Sequence, residues 1–240
     1  MRDRDFAQTP GVDPGKRQAV EAASIELNLR LEALQEQLWA QGKHRILIVL
    51  QAMDAGGKDG TISKVFEHLN PSGVRVASFK APSDNELAHD YLWRIHQAVP
   101  ADGDFLIFNR SHYEDVLVPV VNEWITPAQT AQRYAHINDF ERLLTETGTV
   151  ILKFLLHISK DEQRARLQER LDDPNKHWKF AAGDLEVRKQ WDAYQRAYSD
   201  AIAATGTPWA PWTIVPADSK THRNLMIGTA VVEALKNLKL

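Results

Sequence analysis

Short apolar runs alternate along the chain with segments whose apolar residues recur every three or four positions. After a start carrying Pro10, Gly11, Pro14 and Gly15, read as an extended leader over about residues 1–14, Ala19, Ala22, Leu27, Leu29, Leu31, Leu34, Leu38 and Trp39 form a stripe that predicts a helix. Arg45-Ile-Leu-Ile-Val-Leu50 is short, apolar and β-branched, as expected of a strand buried on both faces of a parallel sheet. Further strands are predicted over 74–79, 105–108, 150–156 and 213–215. Helices are predicted over 61–69, 86–99 and 127–147, the last with Thr126 as cap and Pro127 in its first turn. Two charged helical stretches, 160–172 and 184–204, are split by Pro174 and Gly183, and a final helix runs from Lys220 to Lys239. This alternation predicts an α/β fold with a parallel sheet covered on both faces and ligands at the carboxyl ends of its strands.

Bulk composition narrows the partners. The 240 residues suit one domain, 1–240, without repeats. No apolar run is long enough to span a bilayer, and the charged N-terminus leads into no secretory h-region, so a cytoplasmic protein without a membrane partner is expected. The absence of cysteine excludes thiolate metal sites, disulfides and a cysteine nucleophile. A net charge of −3 argues against a nucleic-acid partner but leaves room for a local anion site, which needs only a few placed cations.

The strongest candidate for such a site follows the first strand, where Asp54-Ala-Gly-Gly-Lys-Asp-Gly-Thr61 precedes a helix. Small residues there let backbone N–H groups face one phosphate, and the helix N-terminus adds partial positive charge. Against the G-x-x-x-x-G-K-[ST] pattern, Gly57 and Lys58 fit, Ala52 stands at the first glycine and Asp59 at the hydroxyl position. Gly56, Gly57, Asp59, Gly60 and Thr61 are candidate phosphate contacts, with Lys58 on a terminal phosphate. Asp54 would repel phosphate unless a cation intervened, which points to a Mg²⁺ ligand; the alternative is a helix cap. After the third strand, Asn109 occupies the place where ATP-using P-loop enzymes carry an acid for Mg²⁺, and Arg110 projects at the strand end.

Met53–Thr61, Phe79-Lys-Ala-Pro82, Phe108-Asn-Arg-Ser-His-Tyr-Glu-Asp-Val-Leu117, His157–Gln163, Pro174–Phe180, Gly183-Asp-Leu185 and Pro216–Lys220, taken in order, resemble the polyphosphate kinase 2 family over nearly the whole chain. The Asn-Arg-Ser-His-Tyr version resembles the subgroup acting on nucleoside mono- and diphosphates. The resemblance implies a three-layer α/β/α P-loop kinase-like fold with a helical lid, about residues 160–198. It also implies transfer of phosphoryl groups between inorganic polyphosphate and AMP or ADP, with adenine and guanine nucleotides as partners. By the same resemblance Asp54 binds Mg²⁺, Lys58 the transferring phosphate, and Arg110 and Arg170 clamp the reacting phosphates. Either Glu114 or Asp115 would then replace the carboxylate missing at Asn109.

In the lid region Arg166 and Arg170 share a helical face, and residues 174–183 carry Lys176, His177 and Lys179 beside Trp178 and Phe180 with no acid. These cations suit a polyanion or nucleotide; the alternative is pairing with Glu162, Glu169 or Asp173. Lys220 and Arg223 open the last helix as a second anion site. Lys80 and Arg94 flank the second strand as further contacts, with Trp93 read as core. A homo-oligomer is expected, the long N-terminal helix either docking on a neighbour or covering its own sheet. The rivals are an ATP-dependent kinase on the same fold and a non-catalytic nucleotide- or polyanion-binding module.

Overall fold

The structure is a computed structural model that describes residues 17–238 and Leu240. The leader and the last predicted helical residue, Lys239, lie outside them. The elements in chain order are α1 (Arg17–Gln41), β1 (Arg45–Gln51), α2 (Lys58–Val65), β2 (Val74–Ser78), α3 (Asp84–Leu87), α4 (Trp93–His96), β3 (Phe105–Asn109) and α5 (Glu114–Val121). They continue as α6 (Pro127–Glu146), β4 (Thr149–His157), α7 (Lys160–Asp172), a 3-10 turn (Pro174–Lys179), α8 (Ala182–Lys189), α9 (Trp191–Thr205), β5 (Trp212–Pro216) and α10 (Lys220–Lys236). The five strands form one sheet in the order β2-β3-β1-β4-β5, every pair parallel.

The period-2 geometry of a strand divides the apolar runs between two cores. Ile46, Ile48, Leu50, Phe105 and Ile107 face α1, α2 and α10, packing on Leu31, Leu38, Val65, Ile227 and Val231. Leu47, Val49, Leu106 and Phe108 face α5, α6 and α9, packing on Val116, Ile137, Phe140, Trp191 and Tyr198. This is the α/β arrangement expected from the sequence, and α1 covers its own sheet. Thr126 caps α6 through the Gln129 N–H, and the Gln129 side chain returns the bond to the Thr126 N–H.

Three expectations change. The helix over 86–99 is two single turns, because Ser83 and Glu86 cap the first reciprocally and the Asp90 carboxylate takes the Leu92 N–H. Trp93 is half-buried and stacks on His89 at 3.9 Å rather than filling the core. The Asn109–Asp115 motif runs into the unpredicted helix α5, so Glu114 and Asp115 belong to a first helical turn.

Candidate active site

At the carboxyl end of β1 the chain turns through Ala52–Gly57 into α2. Ala55 (φ 59°) and Gly57 (φ 105°) both take left-handed backbone, which only glycine adopts without strain. A Cβ on Gly57 would also run into the Arg223 guanidinium. A Cβ on Gly56 would stand 2.5 Å from that of Ala52, so an alanine at the first glycine position is accommodated by keeping glycine opposite it. Lys58 is the first residue of α2, and its Nζ donates to the Ala52 carbonyl at 2.9 Å, across the mouth of the turn. Burial, then the Arg110 charge, lowers its pKa from the usual lysine value.

At the end of β3, Arg110 also has left-handed backbone, φ 64°. A strained non-glycine residue at a strand end is a mark of a functional position. Its guanidinium lies between two carboxylates, 3.1 Å from Asp54 and 3.8 Å from Glu114. Burial opposes its charge, yet Glu114 and Asp54 together hold its pKa above the ordinary value. Glu114 is itself pushed up by burial, against the pull of Arg110 and Lys58. Asn109 donates to the Asp59 carboxylate at 2.7 Å, which ties down the residue standing at the usual hydroxyl position.

Helix α7 closes the other side. Arg166 spends all five of its N–H donors: on Glu162, on the Ala55 and Gly56 carbonyls, and on the Ala217 and Asp218 carbonyls. Its part in this arrangement is to hold the Ala55–Gly56 turn to the Ala217–Asp218 segment that leads into α10, rather than to present free donors. Arg170 pairs with Asp184 of α8 at 2.9 Å and donates to the Lys179 carbonyl. The Asp184 carboxyl is pushed up by burial, then by the neighbouring Asp54 charge. Arg223 is buried, and the only hydrogen-bond partner of its guanidinium among the described residues is Asn224. With Arg166 beside it and no carboxylate among the described residues paired with it, burial and that like charge pull its pKa down to about 10.

These groups surround a cavity of about 660 Å³, large enough for a nucleotide or several phosphates. Its wall carries Lys58, Lys80, Arg110, Arg166, Arg170, Lys176, Lys179, Lys220 and Arg223 against only Asp54, Asp59, Glu169 and Asp184. Nine cations against four acids make the site strongly electropositive although the chain as a whole is acidic. Gly56, Gly57, Gly60 and Asn109 complete the expected residues that line it.

The structure places four expected contacts elsewhere. Arg94 is buried, donates to the Lys80 carbonyl and faces Asp115 at 3.6 Å; neither lines the cavity. Burial raises the Asp115 pKa despite Arg94. Thr61 is fully buried on α2 and is also absent from the cavity wall. Glu114 lies behind Arg110, on a smaller cavity of about 80 Å³ shared with Tyr194 and Tyr198. Lys176 reaches the cavity already paired with Glu169 and Asp173, so the acid-free run in sequence is not acid-free in space. Asp184 was missed as a candidate; its signal was its place in the Gly183-Asp-Leu185 stretch.

No group of three or more His, Asp or Glu side chains suited to a metal occurs among the described residues. Asp54 fits a Mg²⁺ site of another kind, because this hard cation is commonly held by one or two carboxylates together with substrate phosphates.

Residues 15–239 match the family model described as Polyphosphate kinase 2 (PPK2). An AMP/ADP-polyphosphate phosphotransferase of Meiothermus ruber is 57% identical over 236 residues, covering 98% of this chain and 88% of its own length. An ADP-polyphosphate phosphotransferase of Rhodopseudomonas palustris is 43% identical over 223 residues, 88% of this chain and 77% of the relative. The crystal structure of Polyphosphate Kinase 2 from Arthrobacter aurescens TC1 superposes with a TM-score of 0.95 at 47% identity, covering 98% of this chain and 84% of that one.

Proposed function

This chain belongs to the polyphosphate kinase 2 family, and from that premise we propose that it transfers a terminal phosphoryl group between inorganic polyphosphate and AMP or ADP, in either direction. One observation carries the polyanion part of the reading. Arg223 is buried beside Arg166 with no acid among the described residues to neutralise it, and a buried cation without a counter-charge is costly unless a ligand supplies one. A phosphate chain entering past Lys220 and Arg223 supplies that charge and leads to the Gly57–Lys58 turn.

Phosphoryl transfer needs little covalent help from the protein; position and charge neutralisation carry it. The Gly57–Lys58 turn holds the phosphate being transferred, with Arg110 on its strand-end side and Arg170 on its α7 side. Asp54 would hold Mg²⁺, which would supply positive charge to offset that of the phosphates. For that, Arg110 gives up its bond to Asp54 and turns to the phosphate, staying tethered by Glu114. Residues 160–198 act as the lid that excludes water, so that the phosphoryl group is not lost to hydrolysis. The outer faces of Ile25 and Leu29 on α1, both exposed, are the surface proposed for homo-oligomer contacts, checked by light scattering. Among the described residues no helix is long and apolar enough to cross a membrane, which suits a cytoplasmic setting.

Purified protein with Mg²⁺, polyphosphate and ADP is expected to yield ATP, and with AMP to yield ADP and then ATP. Folded protein that makes neither refutes the reading. Phosphorylation from ATP with indifference to polyphosphate would favour the ATP-dependent rival instead. Removing Mg²⁺ with a chelator is expected to stop turnover and its return to restore it.

Arg223→Met separates binding from folding. A cation whose folded pKa is lowered destabilises the fold at every pH below that value, here about 10, and the penalty disappears only as pH rises past it. Removing the charge is therefore expected to stabilise the ligand-free protein by roughly 1–3 kcal/mol, raising Tm by several degrees. The same change weakens polyphosphate binding about 10- to 100-fold. Calorimetric titration and a thermal melt read both; a lower Tm with unchanged affinity would remove Arg223 from the phosphate path.

A further inference from the structure

Three consecutive carbonyls of the phosphate loop point at α7. Arg166 takes those of Ala55 and Gly56, and the Gln163 Nε2 takes that of Asp54 at 2.9 Å. With these carbonyls engaged on α7, and the Gly56 N–H closing the turn on the Met53 carbonyl at 3.0 Å, the loop is held in one orientation. A carbonyl rotated inward would put a partial negative charge where phosphate binds. The Asp54 carbonyl belongs to the peptide that leads into Ala55, whose left-handed φ of 59° is strained for a non-glycine residue. That peptide needs an external hold, and Gln163 supplies it.

Gln163 is fully buried and does a second thing that Arg166 does not. Its Oε1 accepts from Arg188 Nη1 at 2.9 Å, and the same nitrogen donates to the Lys160 carbonyl at 2.7 Å. Arg188 lies in the last turn of α8. A guanidinium only donates and a carbonyl only accepts, so one orientation of the Gln163 amide satisfies both ends. The side chain is a two-ended link from α8 to the loop, buried from competing water.

We propose that Gln163 is a positioning residue for phosphoryl transfer, coupling the docking of α8 through Arg188 to the Asp54–Ala55 peptide that sets the Asp54 carboxylate and the phosphate loop. The inference rests on the phosphotransferase reading and deepens it. Gln163 touches no substrate; it acts through Asp54. When α8 is docked, Arg188 pins the amide and the Asp54 carbonyl stays outside the cavity. When α8 swings away, the amide is free to rotate and the loop loses one of its holds.

Gln163→Glu is the discriminating variant. It keeps size and still accepts from Arg188, but it cannot donate to the Asp54 carbonyl. Gln163→Leu removes both ends, and Arg188→Met removes only the relay. With saturating Mg²⁺, polyphosphate and ADP, kcat is expected to fall roughly 10- to 100-fold in both Gln163 variants, with KM for ADP within about threefold of wild type. Arg188→Met is expected to lose about three- to tenfold, and Gln163→Leu/Arg188→Met to be no worse than Gln163→Leu alone, because both act through one link. Amide hydrogen exchange over residues 52–60 is expected to rise in the Gln163 variants without ligand. Gln163→Glu with kcat within twofold of wild type, multiplicative losses in the double variant, or losses that vanish well below each variant's Tm would overturn this inference alone. Wild-type protein that makes no ATP would overturn it together with the reading it rests on.

Discussion

Lys58→Met is expected to lower turnover by about a thousandfold or more while leaving the chain folded. A placed cation on a transferring phosphoryl group acts where negative charge is concentrated, in a site of low dielectric, and single groups of this kind carry effects on the order of 10³. The fold does not need the charge. Lys58 is half-buried, burial lowers its pKa, and among the described residues its Nζ has only the Ala52 carbonyl as a hydrogen-bond partner. A cation with a depressed folded pKa costs stability below that pKa, so the methionine variant is expected to melt no lower than wild type. The acid–base consequence has a definite sign. In the proposed role the ammonium is the working form, and it is lost as pH rises through a pKa lying below the usual 10.5. For wild type, kcat/KM for polyphosphate is therefore expected to turn down at a lower pH than an ordinary lysine would impose. A Lys58→Met protein keeping more than a tenth of wild-type activity would take Lys58 off the reaction path.

Glu141→Leu is expected to be the most destabilising single change away from the cavity, costing roughly 3–5 kcal/mol and lowering Tm on the order of 10 °C. Glu141, on α6, is fully buried and accepts from Lys153 Nζ at 2.6 Å, the Tyr113 hydroxyl at 2.8 Å and His112 Nε2 at 3.2 Å. Lys153, on β4, also donates to Tyr113 and to the Thr205 carbonyl. Burial pushes the Glu141 carboxyl up, but His112 and Lys153 outweigh it and its folded pKa falls below the usual value. For a carboxylate, that stabilisation is complete above the unfolded pKa, near 4.5, and is lost as pH falls through the folded one. Leucine at 141 leaves the Lys153 ammonium buried without its counter-charge. Glu141→Leu/Lys153→Met removes both charges and is expected to recover most of the lost stability. Thermal melts of the three proteins decide it, and a double variant as unstable as the single would show that the charge pair is not the cause.

The network bears on the site through chain continuity. His112 and Tyr113 follow Arg110 by two and three residues, and both are tied to Glu141. The strand-end turn that carries Arg110 in left-handed backbone is thus anchored from below by α6 and β4. Two signals of this anchor are visible in the sequence without a fold: Lys153 interrupts an apolar strand, and Glu141 shares a helical face with Ile137 and Leu144. Their mutual satisfaction is not visible, because strand and helix meet only after the sheet is assembled.

Local chemistry settles a good part of this protein before any folding is known. Apolar runs bounded by Gly, Pro and polar turns specify the strands, and their alternation with helices specifies a parallel sheet. Asp54, Gly56, Gly57 and Lys58 lie within one turn of the end of β1, so their meeting follows from adjacency along the chain. Arg110 directly follows β3, the neighbour of β1, which brings it to the same edge.

Tertiary structure alone decides which charges remain available. Lys176 and Arg170 find carboxylates at Glu169, Asp173 and Asp184, Arg166 exhausts its donors on the Glu162 carboxylate and four backbone carbonyls, and Arg94 binds the Lys80 carbonyl and Asp115 off the cavity wall. Arg223 is left buried without a carboxylate among the described residues. A formal charge is a property of one residue and can be read from its letter. Its neutralisation depends on what lies within a few ångströms, and for side chains from α2, α7, α8 and α10 those distances are set by how the helices pack on the sheet.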